Sequence, residues 1–119
     1  MIFQEAELQS GSDRLWQFLA LDDAGLAGTL CLKVVDERST LLWMVWLRPA
    51  VRTTLRGGKI LKRLFKWADE KAMEIGRSVI YGRCRRDNKG ARRLYEKLGF
   101  KVYHSAGENE DRVKYLNEA

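Results

Sequence analysis

The sequence changes character at Pro49, its only proline. Before Pro49, runs of strand-forming residues alternate with short polar turns. After it, apolar residues recur at the three- and four-residue spacing of amphipathic helices. A chain that places strands first and then alternates helices with strands folds as an α/β protein. The pattern predicts a mixed, mostly antiparallel sheet with two main helices, which cross over only in the second half.

Four strands are predicted before Pro49, at residues 2–8, 14–21, 26–35 and 41–47. The segments between them, at residues 9–13, 22–25 and 36–40, include polar or glycine-containing turns. The fourth strand is apolar at every position. We therefore expect it to be buried on both faces of the sheet.

Two helices and three strands are predicted after Pro49. The first helix begins around Gly57-Gly58 and carries apolar residues from Ile60 to Ile75, ending at Gly76. A strand follows at residues 79–81. Asn88 is the predicted N-cap of the second helix, and Gly99 ends it. Two final strands, at residues 100–103 and 113–116, flank an acidic loop at residues 108–111.

Composition limits the class of protein. With 119 residues, 45% hydrophobic and 10% aromatic, we expect a single folded domain over residues 1–119. No apolar run is long enough for a membrane helix, and the N-terminal residues do not resemble a signal peptide, so we expect a cytoplasmic protein. Cys31, Cys84 and His104 are isolated in sequence, and no metal site is predicted.

The positive charge is concentrated in one part of the chain. The formal net charge is +6, but residues 48–97 alone hold sixteen basic and five acidic side chains. Such a segment attracts polyanions, and the candidates are a phosphate-rich cofactor, an acidic partner or nucleic acid.

Two segments in this basic region carry candidate chemistry. Arg56-Gly57-Gly58-Lys59-Ile60-Leu61 stands at the predicted helix start, where glycines, free N–H groups and basic side chains suit an anion. By itself this signal is weak, because a Gly-Gly turn also simply starts helices. The second segment, from Asn88 to Phe100, reads Asn-x-x-Ala-x-x-Leu-Tyr-x-x-x-Gly-Phe and is far more specific.

This second segment resembles the second cofactor motif of the GNAT superfamily of acetyl-CoA-dependent N-acetyltransferases, with every signature position filled. The preceding helix start is similar to that family's pyrophosphate motif, Gln/Arg-x-x-Gly-x-Gly/Ala, in either of two registers. One register starts at Arg52 and places Leu55 at the first glycine position. The other starts at Arg56, places Lys59 and Leu61 at the glycine positions, and is preferred because Gly57-Gly58 supplies backbone freedom there.

The resemblance implies a GNAT-like fold and acetyl-CoA as cosubstrate. It implies that backbone groups of Val45, Trp46 and Leu47 pair with the pantetheine arm, and that Asn88 contacts the cofactor. Tyr95 would be the general acid that protonates the departing thiolate. The pyrophosphate would bind at the helix start, at Arg56, Gly57, Gly58, Lys59, Ile60, Leu61 and Lys62.

The chain departs from the family pattern on the acceptor side. Arg83 stands where several family members carry a glutamate that serves as base, and it suggests the hypothesis of an acidic acceptor. The remaining candidates for the base are a water chain, Asp22, Asp23 and Glu37. The two helices that usually follow the first strand are missing. The acceptor side is therefore expected to be open, or completed by a second subunit.

The sequence does not show whether the amine acceptor is a small molecule or a protein. A homodimer is expected through an exposed sheet edge. The competing interpretation is a basic module that binds nucleic acid or a partner on a non-catalytic GNAT scaffold.

Overall fold

One mixed sheet of seven strands forms the protein, in the order β1-β2-β3-β4-β5-β7-β6. The computed structural model describes residues 1–11 and 13–116. The strands are β1 (Ile2–Ser10), β2 (Asp13–Asp22), β3 (Gly25–Val34), β4 (Ser39–Leu47), β5 (Val79–Arg85), β6 (Lys101–Ala106) and β7 (Asn109–Tyr115). The helices are α1 (Leu55–Glu74) and α2 (Lys89–Lys97), and a 3-10 turn, Pro49–Val51, precedes α1. Only β4 and β5 pair in parallel, so the predicted mixed, mostly antiparallel sheet with two main helices is confirmed.

Both helices pack on the same face of the sheet. The ring of Trp67 in α1 stacks on Phe18 of β2 with centroids 5.0 Å apart. Phe65 of α1 meets Tyr95 of α2 edge to face at 5.9 Å. The hydrophobic core therefore lies between this face and the two helices. Within residues 1–11 and 13–116, no helix covers the opposite face.

The first helix begins earlier than predicted, at Leu55 and not after Gly58. Thr54 is the N-cap: its hydroxyl accepts a hydrogen bond from the Gly57 N–H at 3.1 Å. Gly57 packs tightly, since a Cβ there would lie 2.0 Å from the Val51 carbonyl oxygen. The two glycines are thus part of the first helical turn, and one of them permits close packing.

The expectation that β4 is buried on both faces is wrong. Trp43 and Met44 are 55% and 45% exposed. Parallel pairing with β5 covers only Ser39, Thr40 and Leu41, after which the two strands separate. A bulge in the β3–β4 pairing lies between Leu42 and Met44. The middle of β4 therefore borders open space.

The predicted acidic loop at residues 108–111 is also shorter than expected. Glu110 and Asp111 belong to β7, and Glu110 is buried by arginine partners. The predicted turn at residues 9–13 is a tight connection, since β1 extends to Ser10 and β2 starts at Asp13. Its residue 12 lies outside the described residues.

Neither helix in the described part of the chain is apolar enough to cross a membrane.

Candidate active site

A cavity of about 640 Å³ occupies the gap where β4 and β5 separate. Its walls are β4, β5, one face of α1 and the first two turns of α2. The lining residues are Leu42, Trp43, Met44, Val45, Leu47, Arg52, Leu61, Phe65, Arg83, Cys84, Arg85, Asn88, Gly90, Ala91, Leu94 and Tyr95. Apolar walls with three arginines near the openings suit an elongated ligand that has both apolar and anionic parts.

The structure brings together part of the predicted site. Of the predicted residues, the cavity wall includes Val45, Leu47, Leu61, Asn88 and Tyr95. Trp46 pairs with Thr29, so its side chain lies on the face of the sheet without helices. The other predicted residues, which are not in the cavity wall, are Arg56, Gly57, Gly58, Lys59, Ile60 and Lys62.

The early helix start changes which backbone N–H groups are free. In a helix that begins at Leu55, the N–H groups of Lys59 to Lys62 already bond to carbonyls of the preceding turn. The Gly57 N–H bonds to the Thr54 hydroxyl, and the Gly58 N–H bonds to the Thr54 carbonyl. Among the described residues, the N–H groups of Leu55 and Arg56 have no acceptor. An anion at this helix end would therefore meet these two amides.

Arg56 itself points away from the cavity. Its guanidinium and that of Arg48 both bond to the carboxylate of Asp22, at the end of β2. The bond from Arg48 Nη2 is 2.6 Å long. The hydrogen bond from Arg48 holds the pKa of Asp22 well below its usual range. Burial of the carboxylate opposes this shift, and the hydrogen bond from Arg56 adds to it.

Arg52, in contrast, lines the cavity and donates from Nε to the Leu47 carbonyl at 2.9 Å. Of the two arginines that start the alternative registers, Arg52 therefore lines the cavity and Arg56 does not. In the Arg52 register, Gly57 occupies the second glycine position, at the close contact with Val51.

Tyr95 lines the cavity and is only 7% exposed. Its ring packs edge to face against Phe65 and Phe100. Burial raises the pKa of Tyr95 to about 12, so its hydroxyl stays protonated at neutral pH. Gly82 makes room for it, since a Cβ at Gly82 would lie 3.4 Å from the tyrosine oxygen. Sequence reasoning missed Gly82, because a lone glycine in a strand carries no functional signal.

A buried polar cluster adjoins Tyr95 on the helix side of the sheet. Arg112, only 2% exposed, donates to Glu110 at 3.1 Å. Arg92 of α2 lies 3.2 Å from the same carboxylate, and Cys84 Sγ lies 3.9 Å from it. The hydrogen bond from Arg112 lowers the pKa of Glu110, while burial raises the pKa of Cys84. The cluster ties β5, β7 and α2 together behind the tyrosine.

A second cavity, of about 440 Å³, opens on the face of the sheet without helices. It shares Leu42, Trp43 and Arg83 with the first cavity, so the two approach each other where β4 and β5 separate. Its carboxylate is Asp111, which accepts a 2.7 Å bond from Arg83 Nε and lies 3.1 Å from His104 Nδ1. The charge of Arg83 is thus largely matched within the protein.

The three predicted candidates for a general base lie elsewhere. Asp22 is held by two arginines, Asp23 lies in an exposed turn, and Glu37 borders a separate cavity near Ser39. None of the residues that line the first cavity is a carboxylate. In the described ranges, no cluster of histidine, cysteine and acidic side chains could hold a metal ion. The site brings together a buried phenol, the side chain of Arg52 and an edge of β4 that is unpaired beyond Leu41 among the described residues.

Comparison with known proteins identifies a family. The sequence model described as the Acetyltransferase (GNAT) family matches residues 2–100. A search of curated protein sequences finds no significant match.

Solved structures share the fold. The PaiA N-acetyltransferase of Thermoplasma acidophilum, in complex with coenzyme A, is 25% identical, with a TM-score of 0.75 over 85% of this chain and 60% of its own. Aminoglycoside 6'-acetyltransferase type Ii is 17% identical, with a TM-score of 0.75 over 88% of this chain and 71% of its own. A GNAT family acetyltransferase of Elizabethkingia anophelis, with acetyl-CoA bound, is 14% identical, with a TM-score of 0.71 over 96% of this chain and 98% of its own. The chain thus spans about three fifths of PaiA and nearly all of the Elizabethkingia protein.

Proposed function

The chain belongs to the GNAT acetyltransferase family, and we propose that it transfers an acetyl group from acetyl-CoA to a primary amine, with Tyr95 as the general acid. The observation that carries this proposal is the position of Tyr95. A buried, protonated phenol lines a cavity that is also lined by Arg52, three residues before α1 begins, and by Leu61 and Phe65 of α1.

The proposal assigns each part of acetyl-CoA to a part of the site. The edge of β4 that faces β5 has no strand partner in the described residues beyond Leu41, so Val45, Trp46 and Leu47 can offer backbone groups to the amides of the pantetheine arm. The pyrophosphate would lie at the helix N-terminus, near the free N–H groups of Leu55 and Arg56 and the side chain of Arg52. This assignment keeps Arg56 from the predicted pyrophosphate site at Arg56 to Lys62, and adds Leu55 and Arg52.

Asn88 has a dual position. Its side-chain oxygen accepts from the Ala91 N–H at 3.0 Å, which caps α2, and the residue also lines the cavity. We assign it to the cofactor side of the site, where it fixes the start of the helix that carries Tyr95.

The proposed reaction needs one proton donor and one proton acceptor. The amine nitrogen attacks the thioester carbonyl carbon, so a C–N bond forms and the C–S bond breaks. Tyr95 donates its proton to the departing sulfur. The attacking nitrogen loses one proton to solvent or a nearby group. A proton from the same source then converts the tyrosinate back to the neutral phenol. The balance is an amide and a free thiol.

The acceptor would enter from the face without helices, through the second cavity. This cavity meets the first at Arg83, and Tyr81, Tyr103 and Asp111 form its walls. Because Arg83 is bonded to Asp111, the hypothesis of an acidic acceptor needs a direct test. An Arg83→Glu variant with unchanged acceptor preference would remove it.

A Tyr95→Phe variant tests the function. We expect cofactor binding close to that of the wild type in calorimetric titration with acetyl-CoA at physiological salt, and a loss of about 10²-fold or more in acetyl transfer. The control is Tyr115→Phe, which removes an exposed phenol from the end of β7. Transfer would be followed by mass spectrometry over a panel of small amines and peptides. If the wild type binds acetyl-CoA but acetylates none of them, the chain is a non-catalytic GNAT scaffold.

The same titration addresses nucleic-acid binding. Several arginines of β5 and α2 are engaged within the protein: Arg83 with Asp111, Arg85 with Asp87, and Arg92 with Glu110. These pairs reduce the positive field available to a polyanion. Binding of acetyl-CoA that disappears as salt rises, together with tight binding of RNA or DNA, would favour the nucleic-acid interpretation.

A further inference from the structure

The helix-free face of strands β1 to β4 carries many large apolar side chains, with Gln4, Gln17 and Thr29 between them, and has no cover among the described residues. The register places Ile2 beside Leu21, Leu8 beside Leu15, and Leu19 beside Thr29 on this face. Trp46 and Met44 continue the surface on β4. We call this surface the open apolar face; its large apolar side chains are Ile2, Leu8, Leu15, Leu19, Leu21, Trp43, Met44 and Trp46.

The side chains of this face are incompletely buried. Ile2 is 61% exposed and Leu8 is 41% exposed. Trp43 and Met44 are about half exposed, and Leu15, Leu19, Leu21 and Trp46 are partly exposed. This many large apolar side chains on one uncovered face indicate an interaction site, because leaving them in water forfeits hydrophobic stabilisation.

We propose that a second copy of this chain covers the open apolar face, so that two sheets pack face to face around a twofold axis. This inference does not depend on the proposed acetyl transfer. It replaces the expected edge-to-edge pairing of strands with a side-chain interface.

The distribution of charge favours this face over the other surfaces of the protein as the contact between two copies. The charged residues of β1 to β4 on this face are Asp13 and Lys33, which bond to each other at 3.2 Å. The face therefore carries no net charge. Elsewhere the chain holds a net charge of +6, concentrated in residues 48–97, and like charge opposes contact between two copies through the helices. Self-association requires a neutral surface, and this face provides one.

The area is also sufficient. Strands of nine and ten residues, at about 3.3 Å per residue and about 4.8 Å between strands, give four strands a face of about 30 by 19 Å. Two such faces would bury about 1,100 Å² of flat area, before the extra area of the protruding side chains is counted. A biological interface is expected to bury at least about 1,000 Å².

The remaining part of the same face carries charged side chains beside Tyr81 and Tyr103, and it would stay open. Arg83, Asp111 and His104 lie there, on β5, β7 and β6. A dimer that uses β1 to β4 thus leaves the second cavity at the margin of the interface.

Oxidation of the native methionines tests the proposal. Met44 is 45% exposed on the open apolar face, and Met73 is 49% exposed on α1. The rate of oxidation by dilute hydrogen peroxide would be measured by mass spectrometry from micromolar to submillimolar protein, alongside sedimentation velocity. We expect a dimer whose formation slows Met44 oxidation severalfold and leaves Met73 unchanged. A monomer over this range, or a dimer with equal rates at both methionines, would overturn the proposal.

A charge variant provides an independent test. Ile2→Glu combined with Leu8→Glu changes two exposed side chains on the outer strand, 61% and 41% accessible, so the folded subunit should tolerate them. We expect this variant to be monomeric, whereas the matched control Met73→Glu remains dimeric. A double variant that still dimerises would assign the contact to another surface, such as the backbone edge of β1.

Discussion

At the scale of single residues, Tyr95 combines two properties that sequence reasoning treats separately. It is a core aromatic held by Phe65 and Phe100, and its hydroxyl reaches a cavity. The motif around it suggests a role as general acid, but it carries no signal for the burial that raises the pKa of the hydroxyl. That burial has a consequence for stability that can be measured.

Because the pKa of Tyr95 is about 12 in the folded protein and about 10 when unfolded, stability should fall as pH rises through this window. Below pH 10 both states hold the proton and the contribution is fully present. At pH 11 the loss is about 1.4 kcal/mol. Lysines also titrate here, so the measurement is the difference between wild type and Tyr95→Phe in urea denaturation at pH 9 and pH 11. Equal losses in both proteins would show that the phenol is not shielded from water.

Other residues of the site could not be predicted from sequence. Arg112 and Glu110 fall in an ordinary charged stretch, yet they are buried and bonded to each other beside Cys84. Their roles depend on β7 being inserted between β5 and β6. Strand order of this kind is a long-range property, and local spacing carries no signal for it.

At the scale of elements, the order of strands and helices was predictable because hydrophobic period and turn residues agree along most of the chain. The start of α1 was not. Gly57-Gly58 resembles a break, but Thr54 supplies the cap and the glycines lie inside the helix. The prediction that β4 is buried on both faces was also wrong, since an apolar strand can border a cavity as well as a core.

The two glycines at the start of α1 should respond to alanine in opposite ways. A Cβ at Gly57 would meet the Val51 carbonyl oxygen at 2.0 Å, whereas a Cβ at Gly58 meets no other atom within 4 Å. We expect Gly57→Ala to destabilise by about 1–3 kcal/mol through overpacking. Gly58→Ala should stabilise by about 0.5–1 kcal/mol through helix propensity. Urea denaturation midpoints measure both, and a neutral Gly57→Ala would mean that α1 does not sit this close to the 3-10 turn.

At the scale of the whole molecule, Asp22 joins three parts of the fold. Its carboxylate, at the end of the β2–β3 hairpin, bonds to Arg48 after β4 and to Arg56 at the start of α1. The hairpin, the central strand and the helix N-terminus are thereby fixed to one another at the end of the sheet where the cavity opens.

Acid should release this connection. The pKa of Asp22 is depressed in the folded state, so its stabilisation is present above the unfolded pKa of about 4 and is lost as pH falls further. We expect Asp22→Asn to lower the melting temperature at pH 7 and to show a weaker decline than wild type between pH 5 and pH 2. Asp23→Asn, one residue along in the exposed turn, is the control. Parallel declines in wild type and Asp22→Asn would contradict this role for the carboxylate.

The order of the strands also has a consequence for how the chain folds during synthesis. Each strand from β1 to β4 pairs with its neighbour in the chain, so this half needs no crossover and can form before β5 has left the ribosome. Until α1 follows, the nascent sheet exposes Trp16, Phe18 and Leu30 on one side and leucines on the other. The growing chain is therefore most vulnerable to aggregation while the ribosome translates the residues between β4 and the end of α1.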